Sequence, residues 1–230
     1  MGLRLSNGQK LQSPPGLVAR PTLALVREAV MNSLRPQIPG SRWLDLCSGS
    51  GAMACEALLH GAAFVQLVEE NRRIAAVARS NLEALGDAYK NKWQLAVSEV
   101  ERWLNNRRNP AKTEIFSLIY GDPPYRSNLY GSIAKAIYAG NWLAPTGRLL
   151  LECSRDETPS CEAPWLELSR KRYGRTLVLQ WQLLAAEGTA PAILIPGSNK
   201  KTHQGYGDQA QNDAAKERFD HQPDLVDRVD

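Results

Sequence analysis

The sequence predicts an α/β fold, a mostly parallel seven-stranded sheet with helices on both faces and an antiparallel hairpin at one edge. Two observations predict it. Between Trp43 and Ser154, short apolar runs alternate with stretches of helical period, as in a parallel sheet whose strands are buried on both faces. From Leu166 to Leu184, two strand-like runs meet at Tyr173-Gly174-Arg175 with no helix between them, so that pair must be antiparallel.

Taken in order, the first twenty residues are rich in turn formers (Asn7-Gly8, Pro14-Pro15-Gly16), with short apolar alternations, and read as a hairpin or an irregular arm. "RPTLALVREAVMNSL" then takes helical spacing through Leu25, Val26, Ala29, Val30 and Leu34, with Thr22 as a suitable cap. Strand "RWLDL" precedes helix "GAMACEALLHG", closed by Gly61, and strand "AFVQLVE" precedes helix "NRRIAAVARSNLEALG", closed by Gly86. "KWQLAV", "EVERWLNN", "EIFSLIYG", "YGSIAKAIYAG" and "GRLLLECS" continue the alternation as strand, helix, strand, helix and strand. "APAILIPG" is a last short apolar segment.

The expected organisation is an arm over residues 1–20, one catalytic-size domain over 21–197 and a polar tail over 198–230. The tail has almost no large apolar residues, too few to offset its chain entropy, and is expected to be disordered. Of the net charge of +4 the tail carries −2, so the remainder carries +6. A mildly basic body is compatible with a nucleic-acid partner without requiring one. Cys47, Cys55, Cys153 and Cys161 form no CxxC pair, and no signal peptide or membrane-length apolar run is present, so free thiols in a reducing cytoplasm are expected. His60, His203 and His221 lie far apart in unlike contexts, which speaks against a zinc site.

"LDLCSGSGAMA" sets Asp45 at a strand end and Gly49 and Gly51 in the turn before a helix, where glycines permit tight dihedrals and close approach of a ligand. The turn also fits GxGxxA, a weak dinucleotide signal that a ligand-free strand–helix turn would match equally well. Glu69 ends the next strand, twenty residues beyond Gly49, where a carboxylate can accept both hydroxyls of a ribose. Glu70 has the opposite pleat direction and is expected in solvent. Asp45 would repel a pyrophosphate but suits a sulfonium or an ammonium, which favours S-adenosylmethionine over a nicotinamide dinucleotide. Glu99, after the third strand, suits either an adenine amine or the positive end of a helix.

The most informative stretch is "IFSLIYGDPPY". A buried strand stops at Asp122, Pro123, Pro124 and Tyr125, beside the crevice where open α/β sheets bind ligands. The prolines stiffen the segment, and the carbonyls of Asp122 and Pro123 stay available as acceptors. A carboxylate and a carbonyl can hold the two hydrogens of an exocyclic amine, aiming its lone pair at an electrophilic methyl. Tyr125 offers a face on which a nucleobase can stack.

With these residues the chain resembles the class I S-adenosylmethionine-dependent methyltransferases of Rossmann-like fold, and more closely the RsmD-type 16S ribosomal RNA guanine-N2 methyltransferases. The resemblance runs from the arm to about Gln182 and rests on "RPT" with "VRE", "WLDLCSGSGAMACEALLHGA", "LVEENRRIAAVARSNLEAL", "EVERWL", "GDPPY" and "YGRTLVL". It departs at Cys47-Ser48, Asn71 and Glu99. It implies methyl transfer from S-adenosylmethionine to the N2 of one guanine in small-subunit ribosomal RNA, within a ribosomal particle, in the cytoplasm and without a metal. Asp122, Pro123, Pro124 and Tyr125 would then hold the base, and Asp45, Cys47, Gly49, Gly51, Glu69 and Glu99 the cofactor. Arg4, Lys10, Arg20, Arg27 and Arg126 are candidates for phosphate contacts. Adenine-N6 methyltransferases of nucleic acids share the DPPY motif but usually carry a separate target-reading segment, for which this chain has no room. A protein-glutamine methyltransferase would call for Asn at position 122, because an amide substrate needs a partner that both donates and accepts. A non-catalytic RNA-binding or assembly factor on the same scaffold is the reading from another class.

Overall fold

The computed structural model describes residues 3–14, 21–106, 115–124 and 129–184. Seven strands form one sheet in the order β3-β2-β1-β4-β5-β7-β6. They are β1 (Arg42–Leu46), β2 (Phe64–Glu69), β3 (Trp93–Val97), β4 (Phe116–Gly121), β5 (Leu143–Ser154), β6 (Trp165–Tyr173) and β7 (Thr176–Leu183). The first five are parallel, whereas β7 runs antiparallel to both β5 and β6. The helices are α1 (Pro21–Leu34), α2 (Ala52–Leu59), α3 (Arg72–Glu83), α4 (Val100–Asn106) and α5 (Leu129–Ala139). One apolar layer joins α1, α2 and α3 to the sheet through Val26, Leu34, Ala54 and Ala78, and a second joins α4 and α5 through Trp103, Leu104, Ile133 and Ile137. The predicted sheet, edge hairpin and two-faced helical cover are all present.

Two expectations are corrected. Helix α1 begins at Pro21, so Thr22 is already inside it and is not the cap; proline at a first helical position needs no backbone N–H and has its φ preset. Strand β5 starts at Leu143, four residues before Gly147, because Leu143 pairs with Phe116 ahead of a register shift. The arm is a tight hairpin: Arg4 and Lys10 face each other across an antiparallel bridge, and the Gly8 N–H donates to the Leu5 carbonyl.

The register decides what reaches the ligand-binding end. Asp45 pairs with Tyr120, which pairs with Leu150, so the three share one face of the sheet. Two residues further along, Asp122 follows the end of β4 beside Glu152 of β5, on that same face. Three acidic residues from adjacent strands therefore converge under α1, α2 and the arm.

The arm is tied down at Glu56, at Asn81 and where the Gln9 side-chain amide donates to the Ala84 carbonyl (2.8 Å). Glu56 of α2 accepts from the Ser6 backbone N–H (2.9 Å), the Ser6 hydroxyl (2.6 Å) and Arg27 Nε (3.2 Å). Asn81 of α3 accepts from the Gln12 N–H (2.8 Å) and donates to the carbonyls of Gln12 (3.0 Å) and Ser50 (2.9 Å). The second tie links the arm to the glycine turn.

Candidate active site

The turn after β1 is built by backbone geometry. Cys47, Gly49 and Gly51 all have positive φ (59°, 55° and 74°). At Gly49 the turn faces two cavities, and at Gly51 a Cβ would come within 3.3 Å of Ala78 Cβ, so Gly51 sets how closely α2 packs on α3. The Ser48 N–H donates to the Val68 carbonyl (3.0 Å), which anchors the turn to β2. Glu69 completes it. One carboxylate oxygen accepts from the Gly49 N–H and the other from the Asn71 N–H, both at 2.9 Å. Asn71 then caps α3 by accepting from the N–H groups of Arg73 and Ile74.

The larger cavity, about 650 Å³, lies on the β2–β3 side of this turn and is lined by Glu69, Asn71, Ile74, Glu99, Asp122 and Pro124, among others. Its wall offers acceptors beside an apolar side chain, a composition suited to a neutral sugar joined to a base. Glu99 is exposed at its rim. Glu70, expected in solvent, is exposed and also borders this space.

The smaller cavity, about 230 Å³, lies over the convergent acids, lined by Asp45, Tyr120, Asp122 and Glu152 with Arg27 and Met53, and walled by arm residues Leu3, Ser13 and Pro14. Asp45 is 1% exposed, and its Oδ2 has no hydrogen-bond partner. Burial pushes its carboxyl up to about 8; a hydrogen bond from the Ala54 backbone works against that rise and the Glu69 charge adds to it. Asp122 is also raised well above the usual carboxylate range, by burial and then by the charges of Glu152 and Asp45. Glu152, 2% exposed, accepts a short hydrogen bond from the Tyr120 hydroxyl at Oε2, and burial raises its carboxyl too. The Asp122 backbone N–H donates to the Leu46 carbonyl (3.4 Å), which ties the DPP segment to the end of β1. Asp122, Cys47 and Gly49 border both cavities.

The structure thus gathers Asp45, Cys47, Gly49, Glu69, Glu99, Asp122 and Pro124 around two adjoining spaces. Pro123 is buried beside them, and Gly51 acts in helix packing. Tyr125, Arg20, Arg126 and the 198–230 tail lie outside the described residues. Arg4 and Lys10 are exposed on the arm. Arg27 is displaced from its expected role: its guanidinium is buried against Glu56 and donates to the Arg4 carbonyl, so it holds the arm and is not offered to phosphate. Glu152 and Tyr120 were missed, although a glutamate within the apolar run "LLLEC" is a legible signal, since a charge seldom sits in a central strand without a task. Glu56, inside "MACEALL", carried the same signal for the arm's anchor. Among the described residues no group of His, Cys, Asp and Glu could hold a metal, and no helix is long and apolar enough to cross a membrane.

Comparison with known proteins agrees with this architecture. The family model described as Conserved hypothetical protein 95 matches residues 5–182. The ribosomal RNA small subunit methyltransferase D of Escherichia coli K12 is 28% identical over 188 residues, covering 80% of this chain and 89% of its own. YlbH of Bacillus subtilis, a candidate rRNA methyltransferase, is 30% identical over 176 residues, covering 74% of this chain and 90% of its own. Among solved structures, yhhF of Escherichia coli, a candidate methyltransferase, superposes with a TM-score of 0.68 at 28% identity, covering 81% of this chain and all of that one. The chain belongs to this family, the RsmD-type methyltransferases.

Proposed function

We propose that this RsmD-family chain transfers a methyl group from S-adenosylmethionine to the exocyclic N2 of a guanine in small-subunit ribosomal RNA, within a ribosomal particle. The observation that carries the reading is the position of Asp122, which borders both cavities and so stands where a cofactor reaching from one into the other would present its methyl to an acceptor base. The names of the relatives, methyltransferases of small-subunit ribosomal RNA, support the substrate class.

The residues fit the cofactor. Asp45 Oδ2, buried and unpartnered, suits a cationic ammonium. Glu69, fixed by two backbone N–H groups, keeps lone pairs for ribose hydroxyls, and Glu99 stands at the rim for the adenine. When bound, S-adenosylmethionine supplies an electrophilic methyl on a sulfonium. Everything else falls to the chain. Asp122 and the Pro123 carbonyl accept the hydrogens of the amine, whose lone pair is otherwise delocalised into the ring, and turn that lone pair toward the methyl. The nitrogen carries an extra proton once the C–N bond has formed. A carboxylate with a raised pKa takes that proton more readily than an ordinary one. The arm residues Leu3 and Pro14 wall the smaller cavity and help exclude water from it. The base must leave its stack to reach Asp122, which costs least in a loop or bulge.

The test uses small-subunit particles from cells lacking this protein and labelled S-adenosylmethionine, with wild type and Asp122→Ala side by side. Label recovered as N2-methylguanosine, and lost with Asp122→Ala while cofactor binding persists, is the expected outcome. Label in methyladenosine would overturn the substrate. Cofactor binding without any transfer would favour the assembly-factor reading.

A further inference from the structure

Among the described residues only two carboxylate oxygens are buried without a hydrogen-bond partner, Asp45 Oδ2 and Glu152 Oε1, and both residues line the smaller cavity. A buried acceptor left unmade costs stability unless something completes it, and nothing among the described residues donates to Glu152 Oε1. Asp45 is accounted for by the cofactor's cation. Glu152 has no part in the transfer as derived above. Its other oxygen is held by Tyr120, which fixes the carboxylate's orientation and leaves Oε1 as the free acceptor.

We infer that Glu152 is the residue that selects guanine, its Oε1 accepting the ring N1–H while Asp122 holds the neighbouring N2 amine. This rests on the proposed guanine-N2 reading and deepens it. Guanine presents two donors side by side on its Watson–Crick edge, N1–H and the N2 amine. Adenine presents an acceptor, N1, beside its N6 amine. One carboxylate at the amine would serve either base, but a second beside it serves guanine alone, because an ionised carboxylate only accepts and would face the adenine N1 lone pair. The sheet supplies that second carboxylate, since Asp122 and Glu152 lie side by side across β4 and β5 on one face. Flipped bases are read by hydrogen bonds to this edge, and a site built around a substrate N–H rejects analogues lacking it strongly. Tyr120 is then a positioning residue, acting through Glu152.

The probe is 2-aminopurine, which keeps the amine at C2 but has a bare acceptor at N1. The target nucleotide is first mapped with wild type on particles from cells lacking the protein. Small subunits are then reconstituted with guanine or 2-aminopurine at that position. Wild type should favour guanine by at least ~10²-fold in kcat/KM, in line with the rejection a polar site achieves. Glu152→Gln, whose amide can donate to N1, should lose guanine activity and bring the two bases within roughly tenfold, with S-adenosylhomocysteine affinity unchanged. Tyr120→Phe should weaken the preference only partly. Equal use of both bases by wild type would overturn the inference without recourse to any variant. So would an unaltered guanine preference in Glu152→Gln, or a folded, cofactor-competent Glu152→Gln inactive on both bases, which would place Glu152 in the chemistry. If wild type puts no methyl on any guanine N2, the proposed function has failed and this inference falls with it; failure at the 2-aminopurine step leaves that function standing.

Discussion

The two cavities that meet at Asp122 are walled by carboxylates in opposite electrostatic conditions. On the β2 side, Glu69 is complete: each oxygen already accepts a backbone N–H, one from the glycine turn and one from the start of α3. On the β4–β5 side, Asp45 and Glu152 each keep a buried oxygen without a partner, and burial pushes the carboxyls of Asp45, Asp122 and Glu152 upward. The first arrangement is a shaped wall, stable with or without a ligand and suited to neutral hydroxyls. The second holds desolvated acceptors close together, an arrangement that costs stability until a cation or N–H donor arrives. One wall is thus made of satisfied groups and the other of unsatisfied ones.

The sharpest way to break this contrast is at Asp122. Asp122→Asn keeps shape and hydrogen-bonding capacity but replaces one acceptor with a donor facing the amine. Its kcat should fall by ~10²–10³-fold, as when one group is removed from a charge-stabilising set. S-adenosylhomocysteine affinity, measured by calorimetry, should change little. A large loss of affinity instead would mean Asp122 belongs to the cofactor wall and the contrast is misdrawn.

Asp45 gives the next largest effect and carries a pH signature. Its carboxyl is raised from 3.8 to about 8, so below about pH 8 the cofactor-free protein holds it protonated. A cationic ammonium selects the ionised form, so S-adenosylhomocysteine affinity should climb by up to ~tenfold per pH unit between pH 6 and pH 8, and then level. Folding of the cofactor-free protein carries the opposite sign. Between the ordinary carboxyl range and about 8 the unfolded chain ionises and the folded chain does not, so the cofactor-free protein should lose stability as pH rises through that window. Asp45→Asn should flatten both profiles and weaken binding at pH 8. A wild-type affinity independent of pH would remove the ammonium from Asp45.

Glu69→Gln sharpens the other side. A carboxamide offers one acceptor where the turn needs two, so one of the Gly49 and Asn71 N–H groups loses its partner. The expected cost is about 1–3 kcal/mol in stability, with weaker cofactor binding and kcat at saturating cofactor close to wild type. A fall in kcat with binding intact would erase the division between the two walls.

Much of this was legible in the sequence because the fold is written in alternation and glycine placement. Strands β1 to β4 and the β6–β7 pair fall within a residue or two of their apolar runs, and Asp45, Glu69 and Asp122 could be set at strand ends because strand ends are where α/β crevices lie. Hidden from it was everything that depends on register between strands distant in sequence. That Glu152 stands beside Asp122 follows from β5 pairing with β4, and nothing local to "LLLECS" states it. Arg27 looked like a surface charge because its partner, Glu56, lies on a different helix. The arm's role as a cavity wall depends on Asn81, a side chain 69 positions away from the Gln12 it binds.

The smallest expected effect lies where the two cavities touch. Cys47 borders both and has φ of 59°, a left-handed conformation that a side chain adopts at a cost of about 1–2 kcal/mol. Burial, then the charge of Asp122, pushes its thiol up to about 12, so at neutral pH it is neither nucleophile nor charge. If the residue serves only the path of the chain between β1 and the glycine turn, two substitutions separate strain from side-chain chemistry. Cys47→Ala removes the thiol and keeps the strain. Cys47→Gly removes both, while adding unfolded-state freedom that offsets roughly 0.4–1 kcal/mol of the relief. Cys47→Gly should therefore be more stable than Cys47→Ala by up to about 1 kcal/mol, with kcat of both within a few-fold of wild type. Equal stability would mean the turn relaxes without cost. A selective loss of methyl transfer in both variants would mean that the thiol itself fills a place between cofactor and base, and the partition between the two walls would then run through position 47.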